Sequence, residues 1–124
     1  MSKTILLCDD SAFMRQMLKS ILSKHGYTDF CEAKDGVDVI DKYEQHTPDL
    51  VLLDITMPNR NGLDALRAIF EKDQNANVIM CSAMGQEFMV LDAMRSGAKT
   101  FIVKPFKEET VLKAVNSVLG GPEA

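Results

Sequence analysis

The sequence holds no apolar run approaching the roughly 18 residues that a membrane-spanning helix requires. Its opening, MSKTILLCDD, meets two aspartates too soon to contain the apolar core of a signal peptide. A soluble, cytoplasmic protein is expected. Cysteine is scarce: Cys8, Cys31 and Cys81 are an odd number and form no CxxC pair. That excludes a disulfide framework and leaves each thiol to be read as reduced and buried in an apolar run. A basic excess is also missing. Fourteen Lys and Arg stand against 18 Asp and Glu, a net charge of −4, so there is no broad electropositive footprint for nucleic acid or anionic membrane. Repeats, low-complexity tracts and linkers are absent, and the only tail is the GGPEA end.

What remains is ordinary globular material. The 124 residues are 46% hydrophobic and 26% charged, enough for one domain over 1–124 that folds without metal or disulfides. Short apolar runs at Ile5–Cys8, Leu50–Leu53, Val78–Cys81 and Phe101–Val103 predict strands, and Thr28–Ala33 predicts a more polar fifth. Helical periodicity fills the gaps. Met14, Met17, Leu18, Ile21 and Leu22 share one face, as do Leu63, Leu66, Ile69 and Phe70, and Val111, Leu112, Val115, Val118 and Leu119. Segments 36–46 and 86–97 complete five helices. Ser11 is a predicted N-cap, Thr47-Pro48 a helix end, Asn61-Gly62 a turn and Gly97 a helix stop. Continuous apolar strands alternating with helices predict an open, doubly wound parallel (βα)5 sheet, with the polar second strand at an edge.

The residues that follow the strands carry the chemistry. Asp9-Asp10 follow the first, Asp54 the third, Ser82 the fourth and Lys104-Pro105 the fifth. In open α/β sheets, ligands bind at the carboxyl ends of the strands, where strand order reverses. Two or three carboxylates would meet there, and a pair about 4 Å apart repels by roughly 4 kcal/mol at an effective dielectric near 20. A raised pKa, a cation partner or a bound metal each relieves this. An all-oxygen site selects a hard ion, and Mg²⁺ is expected. A carboxylate beside Mg²⁺ is a nucleophile for phosphoryl transfer, with Lys104 and Ser82 placed to stabilise the transferred group. Asp54, alone on a central strand, is the candidate nucleophile. Taken singly, each residue has a plainer reading: Asp-Asp-Ser caps a helix, Ser82 makes a turn, Lys104 is solvated.

The segments ILLCDDSAFMR, LVLLDITMPNRNG, VIMCSAM and SGAKTFIVKPF resemble those of a receiver domain, the phosphoacceptor module of two-component response regulators. Over essentially the whole chain the resemblance is to a free-standing chemotaxis regulator of the CheY type, with no output domain. It implies a flavodoxin-like sheet of strand order 2-1-3-4-5 and phosphorylation of Asp54. It further implies Mg²⁺ ligation by Asp10, Asp54 and the backbone carbonyl of Thr56, with Asp9 acting through water. Lys104 would contact the phosphoryl group, and Pro105 would follow a cis bond. Ser82 and Phe101 would form the switch, Ser82 moving to the phosphoryl group and Phe101 rotating into the space it leaves. The implied partners are a chemotaxis-type histidine kinase, a flagellar motor switch protein and a phosphatase, with the chain itself monomeric. Met84, bulky and apolar two residues beyond Ser82, predicts slow to moderate self-dephosphorylation.

On the fourth helix, Val90, Leu91 and Met94 read as the inward stripe, which turns Phe88 and Met89 outward. With Phe101 these predict a partner surface. A phosphorelay intermediate or a regulator of a non-flagellar output would share every site residue. An aspartyl-nucleophile Mg²⁺ phosphatase usually spaces its nucleophile and acid two apart after the first strand, which Asp9-Asp10-Ser11 does not. A flavodoxin-like cofactor binder would need a phosphate loop where the two aspartates stand.

Overall fold

The computed structural model describes residues 2–57 and 61–122. Five strands alternate with five helices: β1 Thr4–Cys8, α1 Ala12–Ser23, β2 Asp29–Ala33, α2 Asp38–His46, β3 Leu50–Asp54, α3 Gly62–Lys72, β4 Val78–Ser82, α4 Glu87–Arg95, β5 Thr100–Val103 and α5 Glu108–Leu119. The strands form one parallel sheet in the order β2-β1-β3-β4-β5. β1, β3 and β4 are interior strands whose residues are buried almost throughout, as continuous apolar runs require. The polar β2 lies at an edge. There Cys31 is only half-buried, unlike Cys8 and Cys81, so the expectation of three buried thiols holds for two.

Alternation along the strands divides the core in two. Leu6, Cys8, Val51, Leu53, Val78 and Met80 face α2, α3 and α4, where Val39, Leu66, Ile69 and Val90 meet them. Ile5, Leu7, Leu50, Leu52, Ile79 and Cys81 face α1 and α5, against Leu18, Leu22, Val111 and Val115. The helix ends use local chemistry. Ser11 Oγ accepts from Met14 N–H at 3.3 Å and Asn61 Oδ1 from Asp64 N–H at 2.9 Å. Thr47 ends α2 in the left-handed region, and Gly97 follows α4 with φ 115°. At Gly62 only hydrogen fits. A Cβ would strike the Asp54 carbonyl oxygen and lie 2.7 Å from Ile55 Cα, so α3 starts directly against the strand that carries Asp54. Beyond α5, Lys3 N–H donates to Pro122 O at 3.3 Å, so the predicted tail is held to the body through Pro122; Glu123 and Ala124 lie outside the described residues.

The fourth helix corrects the sequence reading. Val90 and Ala93 are buried and Met89 packs against the core, whereas Leu91 and Met94 are exposed beside Phe88. The inward stripe is therefore 89-90-93, an i, i+1, i+4 set. Met89 is not part of the outward surface. Ala93 takes the inward position in place of Leu91 and Met94, and its small side chain hid that face in the sequence. No helix among the described residues is long and apolar enough to cross a membrane.

Candidate functional site

The carboxyl ends of β1 and β3 are neighbours in the sheet, while their crossovers run to opposite sides. The reversal opens a crevice between them. Asp54 is the last residue of β3 and Asp9 follows β1; both are buried, at 5% and 3% exposure. Asp10 is exposed at the rim. Adjacent residues after a strand point to opposite sides, so the Asp-Asp pair gives one carboxylate to the floor and one to the mouth. Oxygens of Asp9, Asp10 and Asp54 all lie within 4.8 Å of one another.

Lys104, immediately after β5, reaches back across the sheet. Its Nζ is 2.9 Å from Asp9 Oδ2 and 3.3 Å from Asp54 Oδ2. Burial works against the ammonium, but hydrogen bonding and charge from the two aspartates outweigh it and hold its pKa above the usual lysine value. The Asp54 carboxyl is pushed up to about 6, first by burial and then by the charge of Asp9; Lys104 and the Thr56 backbone N–H oppose the rise. Burial, reinforced by the charge of Asp54, also raises the Cys8 and Cys81 thiols beneath the site, which keeps them protonated.

Asp9 is held on three sides. Besides Lys104, its Oδ1 accepts from Ser11 N–H at 2.9 Å, and its backbone carbonyl accepts from Arg15 Nη1 at 2.6 Å. Arg15 also donates through Nε to Glu32 Oε1 at 2.8 Å, and that hydrogen bond holds the Glu32 carboxyl below the usual range. Sequence reasoning gave Arg15 no role, although it sits one turn into α1 beside the aspartates it supports. Ser82 ends β4 and is buried at the same edge. The Lys104-Pro105 bond is cis. Thr56 is exposed, and its Oγ1 accepts from Gln86 Nε2 at 2.6 Å. No pattern in the sequence pointed to Gln86.

Three carboxylates face one ammonium, so the cluster retains net negative charge and offers only oxygen donors. That donor set fits a hard divalent ion with Mg²⁺-like preferences, and does not fit zinc. Phe101 lies further out, half-exposed on β5, beside a groove of about 480 Å³ lined by Ser82, Met84, Val90, Leu91, Phe101 and Val103. Phe88 stands nearby at 87% exposure.

Residues 5–116 match the response regulator receiver domain family. A chemotaxis protein CheY of Bacillus subtilis is 52% identical over 119 residues, covering 96% of this chain and 99% of that protein. A second, from Thermotoga maritima, is 51% identical over 118 residues, covering 95% and 98%. Among solved structures, a chain in the CheX–CheY–BeF3–Mg²⁺ complex of Borrelia burgdorferi superposes with a TM-score of 0.89 at 44% identity, covering 94% of this chain and 89% of that one.

Proposed function

The chain belongs to the response regulator receiver domain family, and from that premise we propose that it is a chemotaxis response regulator phosphorylated on Asp54 by a histidine kinase. The observation that carries the reading is the shared ammonium: Lys104 Nζ touches both Asp9 and Asp54 at the carboxyl edge of the sheet. An Asp54 oxygen attacks phosphorus of the donor phosphohistidine. A P–O bond forms, the P–N bond breaks, and the departing imidazole nitrogen takes up a proton. Charge on the transferred oxygens falls within reach of Lys104, and the Ser82 hydroxyl supplies a further donor. Asp10, Asp54 and the Thr56 carbonyl would hold Mg²⁺ directly, and Asp9 through water. The ion, when bound, neutralises charge on the phosphoryl oxygens.

Relatives that match this chain over nearly their whole length support a receiver domain as the working unit; action as a monomer in the cytoplasm belongs to the same proposal. Slow self-hydrolysis belongs to the same reading, because Met84, 84% exposed at the mouth, offers no group to orient water. Incubation with acetyl phosphate and Mg²⁺ is expected to add the mass of one phosphate, and excess EDTA to prevent it. No mass gain with Mg²⁺ would overturn the proposal.

The output face is the apolar groove and its rim, Phe88, Leu91 and Phe101, and its partner is a flagellar motor switch protein. A kinase docking region and a phosphatase complete the partner set. Phe88→Ser is expected to weaken switch-protein binding at least tenfold while acetyl phosphate uptake stays unchanged, since aromatic anchors dominate such contacts. Met89→Ser should instead lower stability by about 1–2 kcal/mol, because that side chain packs inward. Isothermal titration and urea unfolding separate the two effects. Equal affinity in Phe88→Ser would remove this face from the binding surface.

A further inference from the structure

The β3–β4 ladder stops one rung short at the site. Ile55 N–H donates to Cys81 O at 3.0 Å, and the parallel pattern would next run from Ala83 N–H to Ile55 O. That carbonyl accepts from Gly62 N–H instead, at 2.7 Å. Ala83 N–H, the first donor beyond Ser82 on the edge facing β3, thus has no ladder partner. It donates to Gln86 Oε1 at 2.7 Å. A backbone N–H can only donate, so this contact fixes which way the Gln86 amide points. Its Nε2 is left to donate, and does so to Thr56 Oγ1 at 2.6 Å. Gln86 stands at the N-cap of α4 yet makes no capping hydrogen bond there. Its side chain is used entirely to tie the loop after β3 to the loop after β4, beside Asp54.

We propose that Gln86 is a positioning residue that latches the unphosphorylated site by occupying Ala83 N–H, and that a phosphoryl group on Asp54 takes this donor from it. The inference rests on Asp54 being the phosphoacceptor. Phosphorylation adds about −1.5 to −2 charges and three acceptor oxygens. A charged acceptor forms a hydrogen bond roughly twice as strong as a neutral amide oxygen does, so the exchange favours the phosphoryl group. Losing Ala83 leaves Gln86 without the contact that orients it toward Thr56. The start of α4, one wall of the groove with Leu91 and Phe101, is then untied from β3. The latch sets how strongly the apoprotein resists the modified arrangement.

The test uses the full chain, Mg²⁺ and beryllofluoride as the phosphoryl mimic. Gln86→Ala is expected to bind beryllofluoride about threefold to tenfold more tightly than wild type, the worth of one net hydrogen bond. Gln86→Glu keeps an acceptor for Ala83 N–H and adds a negative charge, so it should bind no more tightly than wild type. The spectroscopic signature is the Ala83 amide. Its hydrogen exchange should be faster in free Gln86→Ala than in free wild type, and equal in the two bound proteins. Unchanged or weaker binding by Gln86→Ala, tighter binding by Gln86→Glu, or equal protection of the Ala83 amide in the two free proteins would each overturn the latch. Failure of wild type itself to bind beryllofluoride would overturn the assignment of Asp54 beneath it, and the latch with it.

Discussion

A Lys104→Met protein is expected to take up phosphate from acetyl phosphate about a hundredfold more slowly than wild type at saturating Mg²⁺, the scale of losing one preorganised charged donor. The ammonium sits 2.9 Å from Asp9 and 3.3 Å from Asp54 with its side chain largely buried, so water does not replace it well. Its raised pKa keeps it charged throughout the neutral range. Without it, charge developing on the phosphoryl oxygens loses its nearest fixed cation. Lys104→Arg keeps the charge but spreads it over a planar fork that cannot meet two carboxylates as a point does, and should fall between the two. The rate of mass gain at fixed acetyl phosphate measures all three proteins. A loss under about threefold in Lys104→Met would reduce Lys104 to a structural counter-ion, below the range expected for a stabiliser of the transferred group.

Most of the fold was legible because the strands are buried on both faces. A run such as Leu50-Val51-Leu52-Leu53 has no polar face to present, and repeated between helical segments it is the pattern of a parallel sheet covered on both faces. The site was legible for a related reason. Strands of similar length in a parallel sheet bring their following residues to one edge, so Asp9, Asp54, Ser82 and Lys104 could be aligned by counting. What counting missed is set by close approach across space. Ala93 turns inward, and its smallness hid it behind Leu91 and Met94. Asp9 and Asp10 look alike in sequence, yet one is buried under Lys104 and the other exposed. Gln86 reaches Thr56 from 30 residues away, and no periodicity encodes that contact.

Asp54→Asn is expected to abolish phosphate uptake altogether and at the same time to stabilise the metal-free protein above pH 6. The amide has no carboxylate oxygen to attack phosphorus, so the first effect is complete. The second follows from linkage. In the folded chain the Asp54 carboxyl is pushed from its usual 3.8 up to about 6, first by burial and then by Asp9. Between those two pH values the folded state binds the proton and the unfolded state has released it. Stability therefore falls as pH rises through this window, and the full deficit persists above it. Asparagine carries no such titration. In EDTA at pH 7.5 the variant should melt higher than wild type, by on the order of 5 °C for a chain of this length. The gap should narrow as the pH approaches 4, where wild-type Asp54 is protonated in the folded state. Mg²⁺ should recover much of the difference for wild type at pH 7.5 by binding the folded form alone, and far less near pH 4, where protons compete for the same oxygens. A variant that melts below wild type at pH 7.5 in EDTA would contradict the strained carboxylate. The charge that the proposed phosphoacceptor role requires of Asp54 thus costs stability in the apoprotein.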